Sequence, residues 1–112
     1  MSGRYSVELI ATVRSLHVRS LGQDLAYLCI EGNLPASYVA QVLGVTRVTL
    51  HAWFRGKEIK AHRVPKIQAF IRLLTHDLEK KVLPVTTLDQ ARAYLQEMCD
   101  EPIGVPQQST NG

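Results

Sequence analysis

The chain has little of what a disulfide framework, a metal site or a membrane span would need. Of its 112 residues only 6% are aromatic, and only two are cysteine. Cys29 and Cys99 lie far apart, outside any Cys-x-x-Cys pair, so we expect reduced thiols in a cytosolic protein rather than a disulfide. No stretch approaches the roughly 18 apolar residues of a membrane span, and we expect no signal peptide. The sequence therefore predicts a single soluble domain with no membrane association.

Residue patterns typical of catalysis are missing as well. There is no glycine-rich phosphate loop, no nucleophile elbow and no cluster of carboxylates. The four histidines are His17, His51, His62 and His76. No two of them stand at the i, i+4 spacing of a helical metal site. We therefore expect no enzymatic activity, no catalytic residue, no metal and no cofactor.

Charge is segregated along the chain. The net charge is only +3, but the window 47–66 holds six basic residues against Glu58 alone, a net of +5. The window 77–101 holds six acidic residues against three basic ones, a net of −3. A basic centre of this kind is the electrostatic footprint expected of a nucleic-acid partner, and an ordinary solvated face is the alternative.

Apolar residues recur at steps of three and four rather than two, which predicts an all-α protein. We expect a bundle of five or six helices. The predicted helices cover residues 7–19, 21–31, 35–43, 47–54, 65–83 and 87–99. Residues 102–112, with their prolines, glycines and small polar side chains, offer nothing to bury and are expected to form a disordered tail.

Capping residues mark the starts of three of these helices. Ser20 with Gln23, and Thr87 with Gln90, have the spacing of a capping box, in which each side chain bonds the other residue's backbone amide. Thr46 is a natural N-cap for the helix that follows it.

The stretch 35–56 is predicted to form two short helices separated by a three-residue turn that opens on a glycine. Its characteristic positions are Val39, Ala40, Leu43, Gly44, Val45, Leu50, Trp53 and Gly56. With these residues it resembles the phage-repressor-like (Cro-type, lambda-repressor-like) helix-turn-helix family over about residues 20–78. In such a motif Ala40 allows the helices to approach closely, and Gly44 takes a backbone conformation that is costly for other residues. An unrelated helical hairpin is the alternative.

The resemblance implies that the helix 47–54 lies in the major groove of DNA with its N-terminal residues at the base edges. The base-reading residues would then be Arg47, Val48, Thr49 and Ala52. Arg47 can bridge guanine O6 and N7, and Val48 or Ala52 can contact a thymine methyl group. The family often has long amide side chains here, so their absence places base discrimination on Arg47 and on DNA shape. A plain phosphate clamp is the alternative role for Arg47.

Phosphate contacts are expected from side chains around this helix, since such contacts position a protein on the duplex without reading its sequence. The predicted phosphate-contacting residues are Ser37, Tyr38, Thr46, His51, Arg55, Lys57, Lys60 and Arg63, with Lys66 at the end of the basic loop.

Residues 1–101 are thus predicted to form one helix-turn-helix DNA-binding domain. The resemblance implies a sequence-specific transcriptional regulator, a repressor of phage or mobile-element origin that acts in the bacterial host cytoplasm on the nucleoid. Its partner would be double-stranded DNA. The competing hypothesis is a helical protein-interaction module that binds host transcription machinery through the acidic C-terminal part.

A homodimer on a two-fold operator is the expected assembly, because one small motif makes few base contacts. A seam with the spacing of a pairing surface runs along the last predicted helix, at Leu88, Ala91, Leu95 and Met98. The alternative is that this seam packs on the helix that begins at Pro65.

Overall fold

The structure, a computed structural model, describes residues 20–104. It contains five α-helices: α1 (Leu21–Gly32), α2 (Ala36–Leu43), α3 (Arg47–Phe54), α4 (Val64–Glu79) and α5 (Leu88–Gln96). A 3-10 turn, Ala61–Arg63, precedes α4. These residues contain no strand, which confirms the predicted all-α class, and none of their helices is both long and apolar enough to cross a membrane. The predicted helix 7–19 lies outside the described residues.

Side-chain caps begin α1 and α3 where the sequence predicts them. At α1 the Ser20 hydroxyl accepts from the N–H of Gln23 at 3.2 Å, and the Gln23 Oε1 accepts from the N–H of Ser20 at 2.9 Å. This is a complete capping box. At α3 the Thr46 hydroxyl accepts from the N–H of Thr49 at 3.1 Å. Both predicted caps are confirmed.

The second predicted capping box forms only in part. Thr87 accepts from the N–H of Gln90 at 3.1 Å, as expected. The Gln90 side chain, however, accepts from the N–H of Thr86 at 2.8 Å and not from that of Thr87. The helix that follows, α5, ends at Gln96, earlier than the predicted end near Cys99.

Helix α4 ends four residues before its predicted end at residue 83. It stops at Glu79, and Lys81 takes the left-handed conformation with φ of 67°. The N–H of Val82 then donates to the carbonyl of Asp77 at 2.9 Å, which satisfies a carbonyl that the helix leaves open. This turn brings the buried side chain of Leu83 against the end of α1. A longer helix would lose the burial of this side chain.

The core lies between inward faces of all five helices. α1 packs against α4 and α3, while α2 packs against α3 and α5. The fully buried side chains include Leu25, Val39, Leu50, Ile67, Leu74 and Leu95. The two helices that carry the family resemblance, α2 and α3, are therefore held by separate parts of the same core.

Helices α1 and α3 meet backbone to backbone at Gly22. A Cβ at this position would lie 2.3 Å from the carbonyl oxygen of Trp53 in α3. Because this contact is with backbone, no side-chain movement can relieve it. Gly22 thus sets the distance between the two helices and fixes the face that α3 turns to solvent.

The predicted pairing seam on α5 is wrong. Ala91 and Leu95 are completely buried, so they are unavailable to a second copy of the chain. Met98 is half-buried against the core, and Leu88 alone of the four is exposed, at 49%. The alternative partner is also not the main one, because α5 packs chiefly on α2. The seam spacing reflects burial within one chain.

The segment that follows α5, residues 97–104, is packed onto the bundle, and we call it the C-terminal strap. Ile103 is fully buried. The Gln41 side chain of α2 donates to the carbonyl of Pro102 at 3.1 Å and accepts from the N–H of Gly104 at 3.0 Å. The prediction that a tail with nothing to bury begins at residue 102 is therefore wrong for 102–104. Residues 105–112 lie outside the described residues.

Candidate functional site

Helix α3 has one face in the core and one face in solvent. Leu50, Trp53 and Phe54 are buried. Arg47 and Val48 are exposed, Val48 at 81%. The other two predicted base-reading residues, Thr49 and Ala52, are half-buried beside them. The four residues therefore lie together on the outward side of one helix.

Two clefts flank this outward side. Cleft A, of about 300 Å³, lies between Arg47 and His51 of α3 and residues 35–37 at the start of α2. Cleft B, of about 370 Å³, lies between the other side of α3 and the segment 57–63. Its α3 wall is formed by Val48, Thr49 and Ala52.

Cleft B brings the predicted base-reading residues next to the predicted phosphate-contacting ones. Lys57, Lys60 and Arg63 line the wall opposite α3. The 3-10 turn places Arg63 there, and the same side chain also lines a neighbouring cleft of about 270 Å³ together with Lys66. The basic residues of the loop that joins α3 to α4 therefore line cleft B opposite α3.

The basic side chains around α3 are not neutralised by the fold. Within residues 20–104 no ion pair joins Arg47, Arg55, Lys57, Lys60 or Arg63 to an acid, although Arg92 and Asp89 do pair on α5 at 2.7 Å. Unpaired cations on one face produce a positive potential that attracts an anionic polymer.

His51 stands between two of these cations. Burial lowers the pKa of His51 below its ordinary value of 6.5, and the positive charges of Arg55 and Arg47 lower it further. Its ring packs edge-on against Phe54, with the ring centroids 5.6 Å apart. At neutral pH His51 is therefore an uncharged hydrogen-bonding group at the edge of cleft A.

The structure places Tyr38 differently from its prediction as a phosphate contact. Tyr38 is buried, and its ring lies against Gly104 of the C-terminal strap so closely that a Cβ there would stand 2.8 Å from it. It is a core residue covered by the strap, and the prediction is wrong for this reason. Its neighbour Ser37 is exposed and lines cleft A.

The hydroxyl of Thr46 is already engaged within α3. It donates to the hydroxyl of Thr49 at 3.1 Å while it accepts from the backbone N–H of Thr49. A threonine has one hydroxyl proton, so Thr46 has none left to donate to a phosphate in this arrangement. The proton of the Thr49 hydroxyl is still available to a partner.

Sequence reasoning missed two residues of this surface. Glu58 and His62 both line cleft B. Glu58 had a detectable signal, because it is the single acidic residue in a window with six basic ones. His62 had none, since its approach to α3 depends on the 3-10 turn.

Comparison with known proteins finds no family model, no curated protein and no solved structure that matches this chain. Within residues 20–104, no three His, Cys, Asp or Glu side chains come close enough together to hold a metal ion. The site offers positive charge, hydrogen-bond donors and a projecting apolar side chain. These groups are suited to binding a polyanion that also presents hydrogen-bond acceptors and apolar groups.

Proposed function

We propose that this protein is a sequence-specific DNA-binding transcriptional regulator that inserts α3 into the major groove of double-stranded DNA. The observation that carries the proposal is the exposed face of α3 between two clefts, with unpaired cations on both sides. The major groove is about 12 Å wide and admits one α-helix, with a phosphate backbone along each edge. A helix flanked by cations matches this geometry.

Within this proposal Arg47 and Val48 carry most of the sequence readout. Arg47 is exposed at the first turn of α3, where a guanidinium can bridge guanine O6 and N7. Val48 is the most exposed large apolar side chain among residues 20–104, and a thymine methyl group would cover it. The cations of cleft B would hold the adjacent backbone.

DNA is favoured over a protein partner by the state of the α3 face. A protein-interaction module of the alternative type would offer an apolar groove elsewhere and have its basic face covered. Among residues 20–104 nothing covers Arg47 or Val48, and the cations next to them remain unpaired.

The resemblance to Cro-type regulators extends the proposal to a repressor of phage or mobile-element origin that acts on the bacterial nucleoid. Two copies on a two-fold operator would double the few base contacts that one α3 makes. The surface that joins them is not the buried α5 seam.

Selection of bound sequences from random duplex DNA tests the proposal most directly. We expect enrichment of one motif with two half-sites spaced by about one helical turn, 10–10.5 base pairs. If four phosphates are neutralised per subunit, the logarithm of the affinity should fall against the logarithm of salt concentration with a slope of roughly −3.6 for one subunit and roughly −7.2 for two. Binding that selects no sequence, or that salt does not weaken, would contradict the proposal.

A further inference from the structure

Glu58 is an acidic side chain in the most basic part of the molecule. It is exposed and lines cleft B beside Lys57 and Lys60. Within residues 20–104 it forms no ion pair with either of them, so its carboxylate is available to a partner. The fold therefore gives no structural role to this charge.

A carboxylate at this position would repel a phosphate group bound in the same cleft. Like charges repel, and a carboxylate only accepts hydrogen bonds. Contact between this carboxylate and a DNA duplex is favourable only where the duplex presents a hydrogen-bond donor. In the major groove the donors are the amino groups of cytosine and adenine.

Cytosine suits a carboxylate better than adenine does. Adenine places its N7 acceptor next to the N6 amino group, and that acceptor would repel a carboxylate oxygen. Cytosine presents its N4 amino group alone on its own base. The position of Glu58 also favours contact with a base. It lines the same cleft as Val48 and Ala52, which lie on the outward side of α3.

We propose that Glu58 is a specificity-determining residue whose carboxylate accepts a hydrogen bond from the N4 amino group of a cytosine in the major groove. This inference rests on the proposed function. The cytosine belongs to a base pair adjacent to those met by Val48 and Ala52. Lys57 and Lys60 are then left to hold the phosphates on either side of it.

Two substitutions with different expected outcomes test this role. Glu58→Ala should abolish a preference for cytosine at one operator position, which in the unmodified protein is expected to amount to about 5- to 150-fold. Glu58→Gln should move the preference at that position toward adenine, because an amide can bond both N6 and N7. The readouts are sequence selection from random duplex DNA and the dissociation constants of four duplexes that differ only at that base pair.

Glu97→Gln is the matched control, since it removes an exposed negative charge just after α5, outside both clefts. It should leave the selected sequence unchanged. If Glu58→Ala and Glu58→Gln instead tighten binding to all sequences equally, Glu58 merely repels the backbone and the inference is wrong. An unmodified protein that selects a site without a required cytosine also overturns it, while the proposed function stands. An unmodified protein that selects no sequence overturns both.

Discussion

The polar side chains that contact the C-terminal strap and those around α3 are used in opposite ways. At the strap, Gln96 from the end of α5 donates to the carbonyls of Cys99 and Glu101 at 3.1 and 2.9 Å and accepts from the N–H of Ile103 at 2.9 Å. Around α3, basic side chains such as Arg47 and Lys57 form no ion pair within residues 20–104. One region uses its polar groups to complete the fold, and the other leaves them available to a partner.

The physical reason for the difference lies in the backbone. The strap is irregular, so its N–H and C=O groups need partners that no helix supplies. A glutamine side chain offers a donor and an acceptor on one long stem, and Gln41 and Gln96 use both. The backbone of α3 is already satisfied by its helix and its cap. Changes in the strap should therefore affect stability alone, and changes on the α3 face should affect binding alone.

The largest expected effect is on stability, from Ile103→Ala. This substitution empties a fully buried position and should lower the free energy of unfolding by about 2–5 kcal/mol. Urea unfolding followed by circular dichroism measures it. Val48→Ala is the control, because a side chain that is 81% exposed should change stability by less than about 0.5 kcal/mol. A small effect at Ile103 would mean that the strap does not belong to the core.

The next largest effect is on binding, from Arg47→Ala. We expect a loss of about 1–3 kcal/mol on the specific site and relaxed preference at one base position, with unchanged unfolding. Competition binding against specific and non-specific duplexes separates the loss of specific affinity from a loss of affinity for all sequences. Arg92→Ala removes the same charge on α5 and should leave base preference intact. Lys57→Ala should weaken all sequences equally. If Arg47→Ala did the same, Arg47 would be a phosphate clamp.

A smaller effect on stability is expected when the strap keeps the buried side chain of Ile103 but loses its hydrogen bonds. Gln96→Ala removes three bonds from a half-buried site that water can partly reach, and should cost about 1–2 kcal/mol of stability. Hydrogen exchange at the Ile103 amide should become faster. Gln68→Ala, at an exposed position on α4, is the control and should leave that exchange rate unchanged. DNA affinity per folded molecule should not move in either variant.

The smallest expected effect is a pH dependence of binding through His51. Burial is the main cause of the low pKa of His51 in the unbound protein; the charges of Arg55 and Arg47 lower it further, and nearby phosphates would offset that second contribution. The pKa should therefore rise in the complex, so that binding takes up a proton and affinity increases as pH falls from 7.5 to 6. We expect a gain of less than about tenfold. Dissociation constants measured across this range for His51→Gln should lose that part of the pH dependence.

The same pKa has the opposite consequence for folding. The unfolded chain has an ordinary histidine pKa and binds more protons in acid than the folded one, so stability should fall as pH drops below about 6.5. Unfolding curves at each pH separate this from binding. Identical pH dependence of binding in the unmodified protein and in His51→Gln would exclude His51 as its source.

Sequence periodicity and caps predicted much of the fold because they act locally. The starts of α1 and α3 follow from Ser20 and Thr46, whose bonds span three residues. What failed depends on contacts between distant residues: Tyr38 is covered by Gly104, and Ala91 faces the core of its own chain. Periodicity shows that a face is apolar, but not what covers it.

The sequence by itself determined the helical class, the capped starts of α1 and α3, and the cluster of cations at 47–66, because each depends on residues close in the chain. Only the tertiary structure decided which of those cations stand opposite α3, since the 3-10 turn places Arg63 there. It also brought Glu58 into the same cleft and enclosed Ile103. The enclosure of Ile103 arises from packing between segments far apart in sequence, and the loop 57–60 beside α3 has no regular secondary structure, so no local pattern specifies either placement.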